Sequence, residues 1–133
     1  MKLFRFMSIK EFEKYATGQL LINKTDHNKD NNQKTSSVGF CFFNYAHYKP
    51  EEILHSLTGI VNTSVCCIFE TKIKNVHKSY GRYSRAINKD SLIRKNFIAT
   101  EYCTNEYSKN TFKLVAYAEP DWSNWEKWDW IEP

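Results

Sequence analysis

The order in which helix and strand patterns follow one another is the feature that most constrains the fold of this chain. Both main helical patterns lie in the first 60 residues, whereas the rest carries strand patterns with one short helical stretch, Asp90 to Asn96. A doubly wound parallel sheet needs a helix between successive strands. The order therefore predicts an α+β domain with a mixed or antiparallel sheet and two main helices.

The start of the chain predicts a strand followed by a capped helix. Leu3 to Met7 alternates apolar and polar residues, as half-buried strands do. Ser8-Ile-Lys-Glu11 has the spacing of a capping box, in which Ser8 caps the first turn and Glu11 reaches back to it. Gly18 then ends the helix.

The remaining patterns complete a single domain over residues 1–133. Pro50 is placed as the first residue of a second helix, whose buried face would be Ile53, Leu54, Leu57 and Ile60. Residues 20–22 form a short apolar piece, and further strands are predicted at 38–43, 64–73, 97–100 and 111–117. Polar or basic loops are predicted at 23–37 and 74–88, and residues 120–133 form a Trp-rich acidic tail.

Composition indicates a cytoplasmic protein without a membrane segment. A chain of 133 residues can bury one core without metal or disulfide support. The longest strongly apolar run, Val65 to Phe69, is too short to cross a bilayer, and the first residues lack a signal-peptide core.

The cysteine and histidine residues predict no metal site. The four cysteines lie in apolar or strand-like segments without a C-x-x-C spacing, so buried and reduced thiols are expected. A nucleophilic Cys103 stays open, although the sequence provides no base for it. The four histidines are scattered and form no ligand set.

The net charge of +4 is unevenly distributed. The last fifteen residues hold five acidic residues and one Lys, a local charge of −4, which leaves +8 on residues 1–118. A basic body suits anionic partners such as nucleotides or nucleic acid. Nucleic-acid binding stays open but is not favoured, because the Lys residues are scattered singly and no Arg-rich stripe occurs.

Two carboxylates precede the last strong strand pattern. Glu101 and Glu106 lie in the polar segment Glu101 to Ser108, which predicts a turn before the strand at 111–117. A carboxylate beside a rigid strand can act on a cationic or hydroxyl-bearing substrate. The alternative is a solvated turn whose charges protect a sheet end from pairing.

Three other groups of residues could converge with these carboxylates. Arg5 in the first strand could hold a phosphate with its fork of donors, or could point to water at a sheet edge. Ser36 and Ser37 could orient a ribose, or could be turn residues. The basic loop offers a cation and aromatic faces for stacking on a base, or for packing over a sheet edge: Tyr80, Arg82 and Tyr83.

With these residues assembled, the chain resembles the ADP-ribosyltransferase-like superfamily. The segments that carry the resemblance are Leu-Phe-Arg5-Phe-Met-Ser, Ser36-Ser37-Val-Gly-Phe-Cys-Phe-Phe and Thr104-Asn-Glu106-Tyr. The resemblance implies a split sheet that grips NAD in a cleft. It also implies a phosphate-binding Arg5, ribose contacts from Ser36 or Ser37, and Glu106 as the catalytic carboxylate with Glu101 in support. The spacing from Glu101 to Glu106 differs from the Glu-x-Glu pair of arginine-modifying members, so no target is implied.

The C-terminal tail supports a second hypothesis, a small non-catalytic binding protein. Four tryptophans fall within nine residues and alternate with acids: Trp122, Trp125, Trp128 and Trp130. They could cover the core, or they could dock on a partner with a basic groove. The second hypothesis is an inhibitor, phage- or plasmid-borne, of the anti-CRISPR type, which binds a host defence protein or sequesters a nucleotide signal.

Overall fold

A six-stranded antiparallel sheet forms the centre of the protein, in a computed structural model that describes residues 1–25, 39–57, 59, 61–79, 101–124 and 127–133. The elements in chain order are β1 Lys2–Met7, α1 Ile9–Ala16, β2 Leu21–Ile22, β3 Phe40–Asn44, α2 Pro50–Leu57, β4 Val65–Thr71, β5 His77–Ser79, β6 Glu101–Thr104, β7 Glu106–Tyr107 and β8 Phe112–Ala118. A 3-10 turn at Ile73–Asn75 precedes β5. The described residues form a small single-domain α+β fold with a mostly antiparallel sheet and two α-helices, as the order of patterns predicts.

The strand order of the sheet is β5-β6-β3-β1-β4-β8, and β2 and β7 form a separate two-stranded ribbon. The first strand is therefore central, with Phe4 paired to Phe43 on one side and to Ile68 on the other. Both neighbours run antiparallel to β1. Arg5 consequently lies inside the sheet, and the alternative of an edge-strand arginine is wrong.

The first helix begins and ends as its sequence predicts. The Ser8 side chain accepts a hydrogen bond from the Glu11 backbone N–H at 3.1 Å, which caps the first turn. Gly18 has φ +82° and ends the helix in the left-handed region that favours glycine. The Glu11 carboxylate does not reach back to Ser8, since it bonds to Arg5 and Tyr107 instead.

The two faces of the sheet bury separate clusters of side chains. One face, here called the ribbon face, packs against α1 and the β2–β7 ribbon through residues such as Tyr15, Leu21 and Tyr107. The opposite face, here called the tail face, packs against α2 and the C-terminal tail through Ile53, Leu54, Leu57 and Trp128. Because strand residues alternate between faces, Phe4 and Phe6 lie on the tail face and Arg5 lies on the ribbon face.

Three sequence predictions differ from the structure. The segment Glu101 to Tyr107 is not a polar turn, because it forms β6 and β7. The strand predicted at 64–73 ends at Thr71, and Ile73 begins the exposed 3-10 turn. The basic segment predicted as a loop contains β5, which pairs with β6.

Several predictions fall outside the described residues. They are the helical stretch 90–96, the strand at 97–100 and most of the loop at 23–37. The strand predicted from residue 38 begins at Phe40. Gly39 precedes it at φ +62°, where a side chain would collide with the carbonyl oxygens of Asn23 and Thr104.

Candidate functional site

Arg5 and Glu11 form a partly buried ion pair on the ribbon face. Arg5 Nε lies 2.7 Å from Glu11 Oε2, and Arg5 Nη2 lies 2.8 Å from Oε1, so the guanidinium donates two parallel hydrogen bonds. Each of the two side chains is 15% exposed. Bidentate charge-assisted pairs of this kind are among the stronger polar contacts in proteins. The pair ties the central strand to the first turn of α1.

Two further contacts fix this pair from other strands. The Tyr107 hydroxyl donates to Glu11 Oε2 at 2.6 Å, and Arg5 Nη1 donates to the Cys41 carbonyl at 3.1 Å. The guanidinium carbon lies 5.2 Å from the centre of the Phe40 ring, within cation–π range. The Arg5–Glu11–Tyr107 centre thus joins β1, α1, β3 and β7.

The surroundings of this centre favour an ionised Glu11 beside a neutral Tyr107. Burial by itself would raise the pKa of Glu11, but the hydrogen bonds and charge of Arg5, with the Tyr107 hydroxyl, outweigh it and leave that pKa below its ordinary value. Burial and the Glu11 charge raise the pKa of Tyr107. Tyr107 therefore stays a hydrogen-bond donor at physiological pH.

A cleft of about 370 Å³ opens beside Glu11, between α1 and β2. Its volume lies in the range of small-molecule sites, roughly 300 to 1,000 Å³. Lys10 and Lys14 contribute positive charge, and the other lining residues are Ser8, Glu11, Gln19, Leu20, Leu21, Ile22, Asn23 and Phe40. The cleft therefore offers cations, hydroxyl and amide groups to an anionic ligand.

Glu106 lies beside this cleft but is not one of its lining residues. It is exposed in β7, where it is the direct partner of Ile22, a cleft residue. Its chain neighbour Tyr107 reaches Glu11. Because successive residues of a strand point to opposite sides, the exposed Glu106 carboxylate and the buried Tyr107 ring leave β7 in opposite directions. The contact of Tyr107 with Glu11 therefore does not bring Glu106 to Arg5.

Glu101 lies elsewhere. It is fully buried in β6, opposite Phe43, and shares the tail face with Cys103. Arg5 is on the ribbon face, so the sheet separates these two side chains. The structure does not bring Glu101 together with Arg5.

The other predicted nucleotide-binding residues, Ser36, Ser37, Tyr80, Arg82 and Tyr83, lie outside the described residues, as does Trp125. The remaining tail tryptophans take different positions. Trp128 is 3% exposed and packs edge-on against Phe6 with 6.1 Å between ring centres. Trp130 is partly buried, whereas Trp122 is 51% exposed.

The tail adds backbone pairing to the sheet. Tyr117 and Ile131 exchange two hydrogen bonds, of 2.9 and 2.8 Å, at the outer strand β8. Beside this bridge, a cleft of about 540 Å³ is lined by Trp122 with Glu119, Asp121 and Asp129. Hydrogen bonds from Ser123 and Asn124 hold the Asp121 carboxylate and lower its pKa. The tail therefore has a buried part and an exposed acidic part.

Sequence reasoning missed Glu11 and Tyr107 as site residues. The capping-box pattern accounted for Glu11, and its contact with Tyr107 spans 96 positions of the chain. It also missed a base for Cys103, whose sulfur lies 2.9 Å from His77 Nε2 across β5 and β6. Cys103 is fully buried, and all four cysteines are buried and form no disulfide, as expected from their apolar contexts.

The described residues contain no group of three or more His, Cys, Asp or Glu side chains placed to hold a metal ion. Among the helices that the structure describes, none has the length and apolar character needed to cross a membrane. No family model, curated protein or solved structure matches the chain.

Proposed function

We propose that the protein is an ADP-ribosyltransferase-like domain that binds NAD or a related nucleotide in the cleft between α1 and β2 and transfers ADP-ribose to a macromolecular target. The observation that carries the proposal is a cleft that presents Lys10 and Lys14, beside which the exposed Glu106 pairs with Ile22, a lining residue.

The pyrophosphate of the ligand would lie against Lys10 and Lys14. Both line the cleft from α1, and positive charge in a concave site concentrates anionic ligands. Arg5 takes a different role from the one that the resemblance implies. Nε, Nη1 and Nη2 of Arg5 all donate to Glu11 or to the Cys41 carbonyl. Arg5 would therefore position α1 and its lysines and would not itself bind the phosphate.

Glu106 would act on the ribose. The bond between the ribose carbon and the nicotinamide nitrogen breaks, and its electron pair leaves with nicotinamide. The carboxylate of Glu106 stabilises the positive charge that develops at that carbon until a nucleophile of the target bonds to it.

The test is proton NMR of NAD with the purified protein, recorded over hours with saturation transfer. We expect free nicotinamide to accumulate with the wild type and with Glu13→Gln, a change at an exposed carboxylate of α1, and not with Glu106→Gln. Lys10→Gln with Lys14→Gln should remove saturation transfer, whereas Lys49→Gln with Lys127→Gln should leave it. Saturation transfer without nicotinamide would indicate a binding domain that lacks transferase activity. The absence of both signals would contradict the proposal.

One observation favours a second function, binding to a basic protein partner. Trp122 is 51% exposed in a cleft that also presents the carboxylates of Glu119, Asp121 and Asp129. Exposed tryptophans often dominate binding energy at interfaces, and acids select a basic surface. A non-catalytic inhibitor would use this surface, and Trp122→Ala would then abolish its inhibitory effect while Glu106→Gln would not.

A further inference from the structure

A second surface lies on the other side of α1, where an aromatic cleft adjoins a basic groove. The aromatic cleft has about 530 Å³ and runs between α1 and β8. Its lining residues are Phe12, Tyr15, Ala16, Lys109, Lys113, Leu114, Tyr117 and Pro133. The Phe12 and Tyr117 rings, both half-buried, lie 4.8 Å apart at 40°. They give the cleft an aromatic wall of two tilted rings in contact.

The basic groove has about 480 Å³ and shares Lys109 and Lys113 with the aromatic cleft. Lys72 and Lys74 continue the row of cations, and all four lysines are exposed. Asn75, Asn110, Thr71 and Thr111 add polar groups. Among the described lining residues, the one acidic side chain is Glu70, which the N-terminal ammonium holds at 2.8 Å.

From this continuity we infer that the surface binds single-stranded nucleic acid. Proteins that bind single strands combine a positively charged groove along the backbone with aromatic side chains on which bases stack. Here the phosphates would follow the four lysines, and one base would enter the cleft against Phe12 and Tyr117. A duplex keeps its bases stacked inside the helix, so it would use the lysines without the cleft.

The charge distribution of the molecule agrees with this assignment. Residues 1–118 carry a net charge of +8, and three acidic residues near the C-terminus, Glu119, Asp121 and Asp129, line a different cleft, beside Trp122. The surface shares no lining residue with the cleft between α1 and β2, so it is independent of the proposed NAD site.

The experiment is a fluorescence anisotropy titration of a labelled 12-nucleotide single strand with the full chain, at several salt concentrations. For a single strand, each phosphate that the protein neutralises contributes about −0.7 to the slope of log K against the logarithm of the salt concentration. Four lysines therefore predict a slope of about −3. Lys109→Gln with Lys113→Gln should reduce that slope to about half. Lys49→Gln with Lys127→Gln, an equal loss of exposed charge elsewhere, should leave it unchanged.

The aromatic wall is tested by Phe12→Leu, which keeps an apolar side chain but removes the ring. Loss of one stacked base should weaken binding roughly 5- to 100-fold with little change in the salt slope. The circular dichroism spectrum shows whether this variant is folded, and the lysine pairs test the assignment independently, because their side chains are exposed. The inference is overturned if the strand does not bind at low salt, if both lysine pairs weaken binding equally, or if a duplex of the same length binds as tightly.

Discussion

The two faces of the central sheet are closed by different kinds of contact. On the ribbon face, Arg5 of β1 and Tyr107 of β7 donate hydrogen bonds to the carboxylate of Glu11 in α1. On the tail face, Trp128 closes the core through aromatic area, and its indole nitrogen has no hydrogen-bond partner among the residues that the structure describes. A buried polar network fixes geometry, whereas aromatic burial supplies stability. Both faces bury aromatic rings, so the comparison is between the polar centre that the ribbon face adds to its aromatic core and the aromatic contact of Trp128 that closes the tail face.

This difference gives the Arg5–Glu11–Tyr107 centre and the packing of Trp128 different responses to pH and to truncation of side chains. Contacts on the ribbon face depend on the charge of Glu11, so they weaken when that carboxylate is protonated. The packing of Trp128 involves no titrating group among its ring contacts with Phe6 and Trp130. Stability measurements on variants of Glu11 and Trp128 can therefore separate the contributions of these two contacts.

The largest expected effect is that of Trp128→Ala on the tail face. Truncating a buried aromatic residue removes its apolar area and leaves a cavity, which costs about 3–5 kcal/mol of unfolding free energy. Trp122→Ala, at the exposed end of the same tail, should change it by no more than about 0.5 kcal/mol. Urea denaturation of both variants measures the difference. A loss for Trp128→Ala as small as the one expected for Trp122→Ala would show that the tail does not contribute to the core.

The second-largest effect should be that of Glu11→Gln, a loss of about 3 kcal/mol of unfolding free energy at neutral pH. The substitution leaves the partly buried charge of Arg5 without its counter-charge. The pKa of Glu11 is lower in the folded state than its ordinary value of 4.5. The stabilisation is therefore complete above that value and is lost as the pH falls through the lower pKa of the folded protein.

Denaturant titrations between neutral and acid pH give the measurement. The wild type should approach the Glu11→Gln variant in stability as the pH falls, and the exposed Glu13→Gln variant serves as the control. A constant difference between wild type and Glu11→Gln at every pH would contradict an ionised Glu11.

The parts of the fold that were predictable from sequence are those with local signals. The strand at Leu3 to Met7, the Ser8 cap and the Pro50 start each depend on neighbouring residues, and all three are confirmed. The strand is buried on both faces, however, and not half-buried as its pattern predicts. Strand β6 lacks such a signal, since Glu101-Tyr-Cys-Thr reads as polar. It becomes a buried strand because β3 and β5 pair with it on either side. The same reason explains the missed site residues, because Tyr107 meets Glu11 only after the ribbon has folded over α1.

The smallest effect should come from Tyr107→Phe, which removes one hydrogen bond and keeps the ring in its cluster with Tyr15, Phe40 and Phe42. A hydrogen bond to a charged group contributes about 1.5–3 kcal/mol, and the lower end applies here because Arg5 continues to hold Glu11. Thermal and urea unfolding measure the loss.

Tyr45→Phe is the matched control on the tail face, since the structure gives the Tyr45 hydroxyl no hydrogen bond within the described part of the chain, and its ring packs against Phe4. If Tyr107→Phe costs no more than this control, the ribbon is held by packing alone. A larger cost confined to pH values at which Glu11 is ionised would show that the polar centre holds the ribbon, and with it Glu106, beside the cleft. The position of Glu106 would then depend on the contact between Tyr107 and Glu11, two residues that are 96 positions apart in the sequence.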